Sequence, residues 1–234
     1  MKIITLLILT IALLGCTGRT TRNEGGALIK TENSPLTYTL PPPRTTGSIS
    51  VEQALASRRS QRNFVDRELS AEQLSQILWA AYGITETRRG LRTTPSAGAL
   101  FPMEIYVVIG RVQGIEPGVY RYDPREHRIT RTINRDLRAE LAAAALGQTM
   151  IRDAPITVVH TAVFRRMTGR YGERGIRYTW IEVGHSAQNI YLQAEALGLG
   201  TCAVGAFNDR RVSELLQLPS EEEPLYLMPV GFFR

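Results

Sequence analysis

A chain of 234 residues with a formal charge of +6 is long enough for one domain and a tail. The positive excess is modest, and its Arg clusters carry no interleaved aromatics and no nucleic-acid motif, which disfavours nucleic acid and leaves an anionic ligand or a membrane surface. Only two cysteines occur, Cys16 and Cys202, which excludes a scaffold built on disulfides.

Met1-Lys2 is a short positive start. Ile3 to Leu14 is an unbroken apolar run, too short to span a bilayer but suited to a signal-peptide core. It ends in Leu13-Leu14-Gly15-Cys16, which resembles the bacterial lipobox. That resemblance implies cleavage before Cys16, a diacylglyceryl thioether on its sulfur and an acylated new N-terminus. Two or three acyl chains anchor stably where one does not. The protein is therefore expected in the cell envelope, lipid-anchored through Cys16, with its domain facing away from the cytoplasm. Residues 17–47 read as a flexible linker, holding Gly25-Gly26, scattered polar residues and Pro41-Pro42-Pro43. Such a composition buries too little surface to offset its ordering entropy. The domain is expected over residues 48–234.

Ser50-Val51-Glu52-Gln53 and Ser70-Ala71-Glu72-Gln73 are capping boxes, and apolar residues at helical spacing follow each. The second helix should stop at Gly83. A buried strand is predicted over Glu104–Ile109. Val119–Asp123 and Arg128–Thr132, flanking Pro124-Arg125-Glu126-His127, suggest a hairpin. Asn134 is a candidate cap for a helix reaching Ala145. Pro155–Val163 reads as a strand, and Ile181–Leu197 as a long, central helix. A strand over Thr201–Gly205, a helix over Asn208–Leu216 and a strand over Leu225–Val230 complete the chain. The fold class is α+β, with helices on a mostly antiparallel or mixed sheet.

Two stretches carry chemistry. In "TTPSAGALFPMEIYVVIG", residues 93–110, a loop of almost bare backbone feeds a core strand. A tight structural turn would explain it, and so would a flat ligand lying on the main chain. In "SRRSQRNF", residues 57–64, Arg58, Arg59 and Arg62 crowd like charges around Ser60. They are either solvated or hold a phosphate, whose oxygens match the guanidinium fork. No P-loop, strand-to-helix dinucleotide fingerprint, H-E-x-x-H, C-x-x-C or G-x-S-x-G occurs. The histidines, His127, His160 and His185, show no metal spacing, and no metal is expected. Cys202 sits in an apolar run and reads as core filler. A flat ligand bearing a phosphate remains, and flavin mononucleotide (FMN) fits both stretches.

The order of "RRSQRNF", "TPSAGALFPMEIYVV", "GVYRYDP", "GQTMIRDAPITVV", "RYGERGIRYTWIEVGHSAQNIYLQAEALGLGTCAVGAF" and "PLYLMPVGFF" resembles the nitroreductase superfamily, and within it the SagB-type dehydrogenase branch that includes azoline oxidases. The resemblance implies an FMN-dependent homodimer whose flavin sites each use both chains. Arg58 and Ser60 would hold the phosphate and ribityl chain, with Arg59 the weakest of the cluster. Arg62 would face the flavin N1/C2 carbonyl, where a cation stabilises the reduced anion. Pro95, Ser96, Ala97 and Gly98 would line the flavin edge, and Gln148 could reach the pyrimidine ring. Ile181, Glu182 and Gly184 would begin the central helix, near the backbone N–H that meets N5. Gly205 and Ala206 would pass the phosphate side.

Two departures stand out. Where relatives carry basic residues after the last helix, this chain has Ser220-Glu221-Glu222-Glu223, leaving Arg210 or Arg211 as substitutes. The azoline-oxidising branch is expected to show Lys-Tyr before G-x-R-G, and here Arg170-Tyr171 stands instead. Arg does not titrate at working pH, so Tyr171 is the candidate proton-transfer group and Arg170 its neighbour. Residues 170–177 could equally form an ion-paired loop at a dimer interface. The resulting expectation is an oxidoreductase passing a hydride between flavin N5 and a small organic substrate. The alternative is a catalytically silent, lipid-anchored flavin-binding module. Nicotinamide donors are scarce outside the cytoplasm, so oxygen or a quinone is the expected acceptor.

Overall fold

The computed structural model describes residues 36–234. The expected signal segment, Cys16 and most of the expected linker lie outside them. Both capping boxes form. The hydroxyls of Ser50 and Ser70 each accept from the amide of the Gln three residues on, whose side chain accepts from the cap's own N–H. These reciprocal bonds satisfy donors that no helical carbonyl reaches. They start α1 (Val51–Ser57) and α2 (Ala71–Tyr82). Helix α2 stops at Gly83, where a Cβ would fall 2.2 Å from the Trp79 ring, so only Gly lets the chain turn past that indole.

The sheet grows from two apolar strands. Met103–Ile109 (β4) pairs antiparallel with Ile156–Ala162 (β7) along their whole length, and all of β7 is buried. Strands covered on both faces need no polar alternation. Around them the seven-stranded sheet runs in the order β1 (Thr37–Thr39), β6 (Arg128–Ile133), β5 (Gly118–Asp123), β4, β7, β9 (Glu223–Gly231), β8 (Gly200–Thr201). Each of these pairings is antiparallel. A small hairpin, β2 (Ile84–Glu86) with β3 (Leu91–Arg92), stands apart.

The period-2 alternation of β4 separates two cores. Ile105, Val107 and Ile109 face α2 and the long α6 (Arg174–Ala196), packing with Leu74, Ile77, Val183, Ala187 and Ile190. Tyr106 and Val108 face the opposite layer of α3 (Arg138–Ala144), α4 (Met150–Asp153) and α7 (Asp209–Leu216), packing with Leu141, Ile151, Val212 and Leu216. The α+β class with helices on an antiparallel sheet is the architecture the sequence predicts.

Several boundaries differ. Helix α3 begins at Arg138, after Leu137, with no side-chain cap, so Asn134 caps nothing there. Strand β8 is only Gly200–Thr201. Helix α6 begins at Arg174 rather than Ile181, and α5 (Arg165–Tyr171) precedes it, so the stretch read as a 170–177 loop is mostly helical. The largest difference is that the domain begins before residue 48. Within the expected linker, β1 adds to β6, and Tyr38 and Leu40 are only 5% and 4% exposed. The Pro41 carbonyl accepts from the Ser75 hydroxyl at 2.5 Å and lies 3.0 Å from His127 Nε2. Tyr122 holds the other ring nitrogen of His127 at 2.8 Å. The Pro-rich composition reads as a spacer, but its two apolar side chains find a place against the sheet edge.

A chain beginning at Ser48 should therefore be less stable than one beginning at Leu36. Re-exposing Tyr38 and Leu40 should cost about 3 kcal/mol or more, lowering the melting temperature by roughly 6–12 °C. Equal melting of the two chains by calorimetry would show that the strand contributes nothing.

Candidate functional site

The chain leaving β8 forms an open strip beside the end of α1. Ser60 bridges Thr201, and Gln61 N donates to Thr201 O at 2.8 Å. Further on, Val204 and Leu227 exchange both backbone bonds, at 2.8 and 3.0 Å. Tyr191, on α6, ties the two sides together. Its hydroxyl lies 3.0 Å from Ser60 Oγ and accepts from Ala203 N at 2.8 Å. The Arg58 guanidinium stands 5.2 Å from the Tyr191 ring centroid. Arg62 is exposed and close enough to oppose the rise that burial imposes on the Cys202 thiol. Cys202 itself is 2% exposed, as core filler should be.

Gly205 and Ala206 continue this strip. Both are exposed, and their amides donate in no hydrogen bond of the described residues. Gly184 of α6 and Gly205 line a cavity of about 530 Å³ together with Trp180, Phe207 and Tyr226. A Cβ on Gly184 would meet nothing. That volume falls in the range of small-ligand pockets. Gln148 reaches the same strip, where its amide nitrogen donates to Ala145 O at 2.9 Å and Ala206 O at 2.8 Å. Only its carbonyl oxygen is left to accept.

The Pro95–Gly98 loop lies elsewhere. It is a strained segment, with Gly98 at φ 62, Ala99 at φ 53 and Phe101 at φ 48. Left-handed non-Gly residues cost about 1–3 kcal/mol each unless their surroundings hold them. Ser96 Oγ accepts from Phe101 N at 2.9 Å, Arg166 donates to Phe101 O at 3.1 Å, and Asn189 donates to Thr93 O at 3.2 Å. The Arg92 guanidinium sits 3.9 Å from the Tyr82 ring centroid and 4.6 Å from that of Phe101. Against this loop stand Arg170 and Tyr171, at the end of α5. A Cβ on Gly98 would lie 2.6 Å from the Tyr171 hydroxyl and 3.1 Å from Arg170 Nη1. Tyr171 leans edge-on against Tyr178, with centroids 5.1 Å apart. The structure thus joins two motifs that are far apart in sequence.

Other expected residues turn away. Arg59 bends back to donate to Ala56 O at 3.0 Å and Arg58 O at 2.8 Å, serving the open carbonyls of the α1 end. Glu182 is 2% exposed and accepts from Tyr82 at 2.7 Å. Burial pushes its carboxyl above the usual range, opposed by the Ser96 and Tyr82 hydroxyls. Ile181 is half exposed. Because α6 starts at Arg174, the amides of Ile181, Glu182 and Gly184 lie within the helix, where they bond to carbonyls one turn back. They are not the free donors that a helix start would offer. That property belongs to Gly205 and Ala206. Arg210 pairs with Glu214 at 2.7 Å, while Glu222 is buried and accepts from Thr161. Sequence reasoning missed Tyr191, Arg92 and Trp180. Tyr191 and Trp180 were marked only as aromatics on a helix, a signal shared by any core residue, and Arg92 in β3 carried no signal at all. Among the described residues no cluster of His, Cys, Asp and Glu could hold a metal.

This antiparallel sheet, flanked by helices and carrying an Arg/Ser segment beside an open strip, defines a class of α+β scaffold with a ligand cleft at its edge. The model of the nitroreductase family matches residues 55–232, and the chain belongs to that family, whose members are flavin-dependent oxidoreductases. A Methanocaldococcus jannaschii protein whose name assigns it to the nitroreductases (MJ1384) is 50% identical over 183 residues, covering 78% of this chain and 91% of that protein. A Ralstonia eutropha crystal structure titled as a nitroreductase superposes with a TM-score of 0.75 at 31% identity, covering 87% of this chain and 92% of that one. The trifolitoxin-processing protein TfxB of Rhizobium leguminosarum is 34% identical over 144 residues, and the match spans 56% of this chain and 39% of that protein.

The contact between Gly98 and Tyr171 is testable. Gly98→Ala should cost about 1–2 kcal/mol from left-handed strain, with a further loss from the Tyr171 hydroxyl. In a Tyr171→Phe background that further loss should vanish. Urea unfolding of the four chains should give a coupling of about 0.5 kcal/mol or more, and additivity would refute the contact.

Proposed function

We propose that the protein is an FMN-dependent oxidoreductase of the SagB-type dehydrogenase kind, exchanging a hydride between flavin N5 and a small organic substrate. One observation carries the reading. The strip from Thr201 to Ala206 sets Arg58, Ser60 and Arg62 at one end and two unspent amides at the other, beside a cavity of about 530 Å³. The likeness to TfxB supports the finer branch.

The donor set suits FMN. Arg58 and Ser60 supply a guanidinium fork and a short hydroxyl for a phosphate. Arg62 would balance negative charge on the ring's pyrimidine side. Gly205 and Ala206 offer backbone N–H groups without a Cβ larger than methyl in the way, and Gln148 offers its carbonyl oxygen. When bound, FMN supplies the hydride chemistry. This chain supplies binding, orientation and a proton-transfer group, the Tyr171 hydroxyl, next to a loop that leaves the main chain uncovered.

Helix geometry supports a homodimer as part of this reading. Glu182 meets the Tyr82 and Ser96 side of α6, whereas Gly184, two residues on, lines the cavity. Two residues turn a helix by about 200°, so the Pro95–Gly98 loop and the cavity of one copy lie on opposite sides of α6. A second copy would bring its own loop to the first copy's cavity. The exposed apolar side chains Ile49, Val51 and Leu55 give that copy a face to cover. The lipid anchor at Cys16 belongs to the same proposal, on the strength of the lipobox alone. Among the described residues no helix is long and apolar enough to cross a membrane.

Three experiments test this reading. Flavin-stripped protein should rebind FMN. Arg58→Ala should weaken it by about 2–3 kcal/mol, or 30- to 150-fold, while Arg59→Ala stays within about twofold. Unchanged affinity in Arg58→Ala would make the cluster a solvated surface. Anaerobic reduction by the true substrate should slow at least tenfold in Tyr171→Phe, with dithionite reduction unaffected. A variant as fast as wild type removes Tyr171 from the chemistry. Cys16→Ser should move the protein out of the membrane fraction, and a mature variant that still sediments with membranes would sink the anchor.

A further inference from the structure

The corner between α5 and α6 holds Arg165, Arg166, Arg170, Arg174 and Arg177 against a single acid, Glu173. Arg166 is neutralised, reaching the Glu104 carboxylate at 2.6 Å. Arg165, Arg170, Arg174 and Arg177 are exposed, and among the described residues their guanidiniums make no ion pair or hydrogen bond. Arg170 only rests over the Tyr171 ring, 5.5 Å from its centroid. Like charges gathered this closely repel. Neither helix carries an acid in its first turn, although Arg174 and Arg177 stand at the end of α6 where the dipole disfavours cations. The corner carries a surplus of exposed positive charge, and an external anion would offset it.

The surroundings say what kind of anion. Glu173, Arg174, Ile176, Arg177, Trp180 and Ile181 line a shallow depression, in which two guanidiniums outnumber the one carboxylate and Trp180 is 50% exposed. An indole beside guanidiniums suits a planar ring carrying a charged group. Tyr171, edge-on against Tyr178, holds the end of α5 against this part of α6. Arg170 in turn sits 3.1 Å from the Cβ position of Gly98. Wherever the Pro95–Gly98 loop meets a flavin, Arg170 goes with it. We propose that the substrate is a planar organic anion, its carboxylate, sulfonate or phosphate group held by Arg174 and Arg177 and its ring laid against Trp180. This rests on the function proposed above and narrows it. An anionic bilayer would also meet exposed Arg and Trp, but Glu173 within the same depression would face a uniformly negative surface unfavourably, whereas a small ligand can place its one charged group away from it.

Calorimetric titration of the flavin-loaded protein with a naphthoquinone sulfonate and with its uncharged hydroxymethyl analogue tests the proposal. The sulfonate should bind about tenfold or more tightly at low salt, and the preference should shrink as salt rises. In the double variant Arg174→Gln/Arg177→Gln, whose replaced side chains are both exposed, the preference should disappear. Affinity for the neutral ring should change by less than about twofold. Equal affinity for the two probes overturns the proposal, as does a preference that survives the double variant. So does sedimentation with phosphatidylglycerol vesicles that the double variant abolishes while the sulfonate shows no preference. Flavin content, read from visible absorbance of the same sample, judges the oxidoreductase reading separately. A protein without flavin refutes that reading, whereas the sulfonate preference reports on the arginine corner alone.

Discussion

The site depends on two hydrogen bonds between Val204 and Leu227. They pin one residue of an otherwise irregular segment to the last long strand of the sheet. Because the bridge lasts for a single residue, the chain departs from the sheet at once, and the amides of Gly205 and Ala206 are left unspent. A longer strand there would have consumed them in a ladder. The bridge also fixes Ala203, whose amide anchors Tyr191 and through it Ser60. A short pairing thus positions donors from three parts of the chain, and burial of Val204 and Leu227, at 3% and 0% exposed, keeps it closed.

A second economy governs the Pro95–Phe101 loop. Its left-handed residues are unfavourable in isolation, and the loop keeps them because its neighbours leave no alternative. Phe101 is held at three points: its amide by Ser96, its carbonyl by Arg166 and its ring by the Arg92 guanidinium. Arg92 is in turn stacked on Tyr82, whose hydroxyl donates to Glu182. The buried carboxyl of Glu182 is therefore a support for the loop's conformation. Strain held in this way leaves a rigid, bare backbone edge, which a flat ligand needs and a flexible loop would not provide.

Charge is distributed unevenly over this frame. Acidic side chains are matched on the sheet, as where Glu104 takes both Arg121 at 2.9 Å and Arg166 at 2.6 Å. Among the described residues, Arg58 and Arg62 at the end of α1 and Arg165, Arg170, Arg174 and Arg177 at the α5–α6 corner form no ion pair. Unpaired exposed cations gain little from water-screened neighbours, so their concentration at these two places contributes little to stability and supplies the positive potential that the proposed ligands would meet.

What the sequence determined by itself was local. The capping boxes at Ser50 and Ser70, the apolar strands β4 and β7, the hairpin of β5 and β6 and the bare loop before β4 all follow from short-range spacing, and the ordered motifs pointed to the family. Tertiary structure decided which of the marked side chains are free to act. Arg58 and Arg59 are adjacent and alike in sequence, yet one stands over Tyr191 and the other is used up on its own helix end. Glu182 and Gly184 were read together, yet helix rotation sends them to opposite sides. The partners that settle these roles are remote: Ser60 and Tyr191 are 131 residues apart, Gln148 and Ala206 are 58 apart. Periodicity encodes which face of an element is buried, but a donor's availability depends on what distant chain has already reached it, and that is fixed only when the layers pack.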